Sequence, residues 1–434
     1  MPIDLSLARI SRLLAHLGNP HHSSYRCVHV AGTNGKGSTI AYLSAVLMAA
    51  RVYTGRFTSP HLVSYNDCVA INNETYPMPK FSRVHQMVTR EDARLGLRCT
   101  EFELLAATAF KIFQLENVQL ALVEVGLGGL LDATNVLQPA DRTVGVVVCG
   151  ITKICLDHMG LLGTTLTQIA AQKAGIIKKG VPVVVDASNV PEVLQVVQTT
   201  ADAHGSAVVA ARACEIPDVA RLIPFSPLVG AYQEQNLAVA LGILRILADQ
   251  GVVAVDDVTI RRGLAATVWP GRLQTVVDPH TQLTVLLDGA HNKNAAVELG
   301  RHLQMLREKK GETGVTHADQ NNAGAESGLV FVVALTRGKA ADDIFRYILR
   351  PHDTVYPVTF TTPEHMPFVV CCSAEEVAES ARKHCANVRN HGLKTVDAVF
   401  LHLLENKRAG DRRDVVVCGS LYLCSDVLRY IASP

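Results

Sequence analysis

Short apolar, β-branched runs recur along this chain, each followed by a stretch whose apolar positions fall three and four residues apart. Residues 28–31, 120–125, 144–148, 181–185, 283–287, 329–335 and 414–418 are such runs, which predicts strands buried on both faces. Residues 38–50 carry Ile40, Leu43, Leu47 and Met48 at helical spacing and predict a helix directly after the first strand. Strand and helix alternating in this way predict an α/β fold with a mostly parallel sheet covered by helices. Two sheets account for the runs better than one. The stretch VWPGRLQTVVDPH is rich in turn-formers and precedes a fresh strand, so we expect a larger domain over 1–270 and a smaller α/β domain over 271–434. Residues 309–328 are polar, glycine-containing and without period, and are expected to form a mobile loop. No internal repeat is visible.

Composition narrows the function classes. With 434 residues, 48% hydrophobic and 19% charged, the chain has ample material for two cores. Its 41 Lys plus Arg nearly cancel 40 Asp plus Glu, which argues against a nucleic-acid footprint or an electrostatic membrane anchor. Eleven cysteines are scattered without a C-x-x-C pair, as expected for reduced thiols used as small apolar residues. The opening MPIDLSLARI lacks a basic stretch leading into an apolar one, and no segment reaches the length of a membrane span. A cytoplasmic chain follows, with a mitochondrial pool left open.

The chemistry concentrates where strands end. In VHVAGTNGKGSTIAYL, a strand runs through a glycine-framed lysine into a helix. Gly32, Gly35 and Gly37 let the backbone turn its amides toward an anion, and Lys36 adds a charge for outer phosphates. The run departs from the standard phosphate loop, since Gly37 separates Lys36 from Ser38 and Val30 stands at the usual first glycine. Glu124 ends a second strand before Gly126, Gly128 and Gly129; a carboxylate there suits Mg²⁺, which takes hard oxygen ligands and few protein groups. Asp157 and His158 follow a third strand, and Lys173 lies on a helix close downstream. Singly, these read as a capping acid, a hydrogen-bonded core histidine and a solvated helix lysine. Together, at the strand ends where open α/β sheets place ligands, they read as one site.

GTNGKGST, FTSPHL, EVGLGGLLDATN, LDHMGLLGTTL, QKAGIIK and LLDGAHN, in this order, resemble the folylpolyglutamate synthases and bifunctional dihydrofolate synthases, within the superfamily of ATP-dependent amide ligases that includes the Mur ligases. The resemblance implies a P-loop-type ATP-binding and folate-binding domain with a mostly parallel sheet, followed by a Rossmann-like glutamate-ligase domain. It implies Thr33, Asn34, Gly35, Lys36, Gly37 and Ser38 as the triphosphate cradle, with Asn236, Arg272 and Asp288 also on ATP. Ser59, Glu124, His158 and Lys173 would hold one or two Mg²⁺ ions, Lys173 as a carbamate, with a monovalent cation as a further candidate. Lys36, Lys173 and His291 are the implied catalytic residues. Thr100, Phe102, Glu103, Leu131, Asp132 and Ala133 match stretches lining the folate site.

The implied reaction is ATP-dependent ligation of L-glutamate to reduced folate through an acyl phosphate, by a monomer. Leu130 stands where many members carry arginine, and Asp67-Cys68 where they carry a glutamate-arginine pair; Lys153, Met159 and Gly160 also depart from the pattern. Loss of those charges makes reduced folate the expected acceptor and dihydropteroate the alternative. The chain also opens later than the family's usual leading helical segment. A nucleotide switch and a catalytically inactive folate binder are the competing classes, and the intact set Lys36, Glu124, His158 and Lys173 argues against both.

Overall fold

The computed structural model describes residues 6–22, 24–141, 143–313, 328–390, 392–411 and 413–433. Of the predicted loop at 309–328, residues 314–327 lie outside them, while 309–313 are not loop but the end of the helix Lys293–Thr313. The chain divides into two compact units, one formed by Met1–His61, Tyr65–Pro227 and Ala231–Val268, the other by Leu62–Ser64, Leu228–Gly230 and Trp269–Pro434.

In the first unit, strands β1 (Arg26–Ala31), β2 (Thr54–Phe57), β3 (Val69–Ile71), β4 (Glu74–Thr75), β5 (Leu120–Glu124), β6 (Gly145–Ile151), β7 (Val183–Asp186) and β8 (Val208–Ala211) form one sheet in the order β4-β3-β2-β5-β1-β6-β7-β8. Only the β2–β3 and β3–β4 pairs are antiparallel. From β1 the chain crosses to β2, returns to fill β5 between them, and then proceeds to β6 on the other side. The carboxyl end of β1 is therefore a point where strand order reverses, the usual ligand position in such sheets. Register does the local placing: Glu124 lies beside Val30 on β1, two residues before Gly32.

The helix after β1 begins at Lys36 rather than at Ser38 and runs Lys36–Ala49, and eleven of its residues, including Ser38, Thr39 and Ser44, are buried. Burial on nearly all sides makes it a core helix, so its apolar spacing was a weaker signal than its length. Gly263 permits the close approach of the helix Asp257–Ala265, since a Cβ there would stand 2.8 Å from the Val46 nitrogen.

The second unit contains β9 (Gln274–Val277), β10 (Thr284–Leu287), β11 (Val330–Val333), β12 (Thr354–Pro357), β13 (Asn387–Val388) and β14 (Val415–Cys418), ordered β13-β12-β11-β14-β10-β9. All its pairs are parallel except β9–β10. The α/β expectation and its two sheets hold. One difference lies in VWPGRLQTVVDPH, read above as turn-forming: it contains β9, because the Gln274–Val277 amides find partners across β10. Among the described residues no helix is long and apolar enough to cross a membrane.

Candidate active site

The glycine-framed loop is held open by its neighbours. Gly35 has φ +93° and precedes the first turn of the helix, a conformation that side chains resist. A Cβ at Gly35 would also run into the Asn236 side-chain oxygen, and one at Gly32 into the Thr152 hydroxyl. Thr33 and Asn34 donate their amides to the Lys153 carbonyl at 2.8 and 3.1 Å. The Thr152 hydroxyl donates to the Asn34 carbonyl at 2.8 Å, and the Cys155 amide donates to the Thr33 hydroxyl at 3.1 Å. The segment after β6 thus braces the loop after β1. Asn236 donates to Gln233 at 2.9 Å, and Gln233 in turn donates to the Ser38 hydroxyl at 3.4 Å. Gln233 is fully buried and escaped the sequence reading.

Charge gathers at the same strand ends. Lys36 Nζ stands 3.7 Å from Glu124 Oε1 and donates to the Thr33 carbonyl at 3.3 Å. Lys173, read singly as a solvated helix lysine, is instead 5% exposed and donates to the Gly32 carbonyl at 2.9 Å. Burial, and then the Lys36 charge, pull its pKa down to about 7, against the pull of Asp157 and Asp132 in the other direction. An amine of this kind is partly neutral near physiological pH and is therefore nucleophilic. Ser59 lies just beyond the end of β2, and His158 follows β6 with φ +50°, a left-handed backbone unusual for histidine. Among the described residues no three His, Cys, Asp or Glu side chains cluster at metal-holding distance. The proposed ligand set supplies only two of those types, so oxygen donors of other kinds would have to complete it.

Several residues expected on the acceptor side are engaged in shaping the chain. Thr100 and Glu103 cap the helix Glu101–Leu115 reciprocally, the Glu103 carboxylate accepting from the Thr100 amide at 2.7 Å, and Arg9 pairs with Glu103 at 3.1 Å. Asp132 accepts from the Leu127 amide at 2.9 Å, the Thr134 amide at 3.0 Å and the Thr134 hydroxyl at 2.5 Å. Phe102 lies against Gly126, where a Cβ would collide with its ring. Leu131 is 46% exposed and Ala133 is buried.

In the second unit, Asp288 follows β10 and accepts from the Leu273 and Ala290 amides, each at 2.9 Å. Burial raises its pKa while the Arg272 charge lowers it. His291 Nδ1 meets the Gly289 carbonyl at 2.8 Å, so Nδ1 carries the proton and Nε2 is the basic nitrogen.

Comparison with known proteins places the chain in a family. Over 449 residues the chain is 38% identical to the dihydrofolate synthetase of Saccharomyces cerevisiae, covering 99% of this chain and 98% of that one. It belongs to the folylpolyglutamate synthase and dihydrofolate synthetase family. The dihydrofolate synthase/folylpolyglutamate synthase of Bacillus subtilis is 30% identical, with 97% of this chain and 94% of the relative covered. Residues 272–430 match the family described as dihydrofolate synthetase, C-terminal domain. Among solved structures, the Mycobacterium tuberculosis folylpolyglutamate synthase complexed with ADP and AMPPCP superposes with a TM-score of 0.77 at 25% identity, over 99% of this chain and 96% of that one. A folylpolyglutamate synthase complex with AMPPCP and folate gives 0.74 at 28% identity, over 100% and 96%.

Within this family member, Lys36 and Glu124 meet directly, and Lys173 and Asn236 each meet the glycine-framed loop. One charged residue was missed. Arg56 on β2 is largely buried, which lowers its pKa, and the Asp67 and Glu124 charges both raise it. A lone arginine in TGRF offers no signal in sequence that it turns inward.

Proposed function

We propose that this chain uses ATP to join L-glutamate to the carboxylate of a pteroyl acceptor, giving ADP and phosphate. ATP-dependent ligation of glutamate to folate is the activity of the family. The acceptor carboxylate attacks the γ-phosphorus, the bond to ADP breaks, and an acyl phosphate forms. The glutamate amine then attacks the acyl carbon, and the tetrahedral intermediate expels phosphate. Lys36 and the loop amides after Gly35 would stabilise charge on the phosphoryl oxygens. His291, in the second unit, remains a catalytic candidate.

The observation that carries this reading is Lys173, a buried amine with a lowered pKa that donates to the phosphate loop at 2.9 Å. Addition of its neutral form to CO₂, with loss of a proton, turns a cation into two anionic oxygens. The residues present fit magnesium: Ser59, Glu124, His158 and the Lys173 carbamate would hold it, with a monovalent cation as a further candidate. When bound, the ion would neutralise charge developing on the phosphoryl oxygens. Scattered cysteines without a C-x-x-C pair support a cytosolic location, and a monomer is the expected state.

Reduced folate is one acceptor. A second, dihydropteroate, is favoured by the name of the yeast relative that matches along 99% of this chain. Comparing kcat/KM for tetrahydrofolate and dihydropteroate tests the pair. A difference of about tenfold or more is expected for acceptors differing by one charge-assisted contact; absence of glutamate transfer to dihydropteroate would remove the second reading.

A further inference from the structure

Two residues of the recognised motifs have no part in the chemistry above: Asn135 of LDATN and Lys178 of QKAGIIK. They meet beneath the site. Lys178 Nζ donates to Asn135 Oδ1 at 2.5 Å and to the Asn135 carbonyl at 3.3 Å. An ammonium only donates, so it fixes which end of the Asn135 amide faces it. The amide nitrogen is thereby turned the other way, where it donates to the Leu130 carbonyl at 2.9 Å and the Gly175 carbonyl at 3.1 Å.

Those partners matter because of where Lys173 sits. It is the penultimate residue of the helix Leu166–Ala174, and Gly175 is the residue that closes that helix. The last carbonyls of a helix have no partner within it and take one from elsewhere. Here the acceptor-side loop supplies them. The Leu130 amide donates to the Gln172 carbonyl at 2.7 Å, and Asn135 takes the Gly175 carbonyl. Gly129 permits the contact, since a Cβ there would stand 2.6 Å from the Gln172 oxygen and 3.0 Å from Lys173 Cα. Lys178 also places a cation near the carbonyl end of the helix, the sign its dipole favours.

We propose that Lys178 and Asn135 form a buried clamp that caps the Lys173 helix with the acceptor-side loop, making both of them positioning residues that act on the ligase reaction through Lys173. This rests on the role given to Lys173 above, and it adds that the loop and the lysine are set as one piece.

The test compares wild type, Asn135→Asp, Lys178→Met and the double variant. Asn135→Asp changes one atom, keeps a partner for Lys178 and sets an oxygen against the Leu130 and Gly175 carbonyls in place of the two donated bonds, so the cap is lost, and circular dichroism checks that the fold is retained. Each single variant should lower kcat about tenfold or more, the effect expected for bonds involving a charged group, with the KM for ATP within about twofold of wild type. Losses in the double variant should not multiply, because the two residues act as a unit. The ¹³C signal of a Lys173 carbamate formed from labelled bicarbonate should require a higher bicarbonate concentration in each variant. Wild-type kcat in Asn135→Asp, multiplying losses, or an unchanged bicarbonate requirement would overturn the clamp. Lack of a carbamate signal in active wild type would instead overturn the role of Lys173.

Discussion

Lys173 Nζ donates to the Gly32 carbonyl at 2.9 Å, so the helix carrying the lysine is tied to the glycine that opens the glycine-framed loop after β1. The bond holds the amine in a buried position close enough to Lys36 for one positive charge to disfavour the other.

That arrangement sets a pH dependence. With a pKa of about 7, Lys173 is half neutral near that pH and mostly charged below it. A carbamate forms from the neutral amine, so glutamate incorporation should fall as pH drops below this value, and less steeply when bicarbonate is high. Lys173→Ala should be inactive and partly restored by acetate, which returns oxygen donors to the metal. Rate profiles at two bicarbonate concentrations check the first point. An unmodified, fully active lysine would contradict the role.

Lys36→Ala should abolish glutamate incorporation and leave the fold intact, because its ammonium is occupied with the Glu124 carboxylate at 3.7 Å and one loop carbonyl rather than with the core. Circular dichroism and thermal unfolding establish the fold, and radiolabelled glutamate the activity. Near-normal turnover would sink the phosphate-loop assignment.

Gly35→Ala should weaken ATP binding by about tenfold or more, since a left-handed residue with a Cβ costs roughly 1–2 kcal/mol before any collision is counted. The φ of +93° and the approach of Asn236 leave the new methyl no room, so the helix start must shift. Nucleotide affinity measured calorimetrically decides this. Coupling to Asn236 gives a second check, because Asn236→Ala should relieve part of the loss.

His21 gives a prediction about stability rather than catalysis. Burial, and then the neighbouring His22, pull its pKa from 6.5 to about 3. Between those two values the unfolded chain binds more protons than the folded one, so stability falls as pH drops from 6.5 toward 3, and the group contributes no such slope above 6.5. His21→Phe, which keeps a ring beside Phe110, should flatten the loss. Denaturant midpoints at about pH 7 and about pH 4 measure it. Equal acid sensitivity in variant and wild type would contradict the assignment.

Much of this was legible in the residues because the signals were local. Three glycines around Lys36 announce a turn that no other residue type makes easily, and Glu124 ends an apolar run long enough to be recognised as β5. Strands β2 and β8 were not foreseen, since TGRF is polar and short, and Val209 of β8 is 39% exposed at the sheet edge. The roles of Thr100 and Glu103 could have been read more fully: T-x-x-E before an apolar run is a capping signature, and the structure makes that cap. What sequence could not carry was burial set by distant segments. Lys173 looks like any helix lysine among QKAG, and its dry environment comes from Gly32 and Gly129, far away in the chain. Gln233 and Arg56 turned inward for the same reason.

The most direct measurement of the central claim follows ADP release and radiolabelled glutamate incorporation together, with ATP, L-glutamate and a pteroyl acceptor each omitted in turn. The account predicts one glutamate joined per ADP released when all three are present, and neither product at a comparable rate when the acceptor is missing. Steady ADP release without acceptor, or with acceptor but without glutamate entering product, would contradict it.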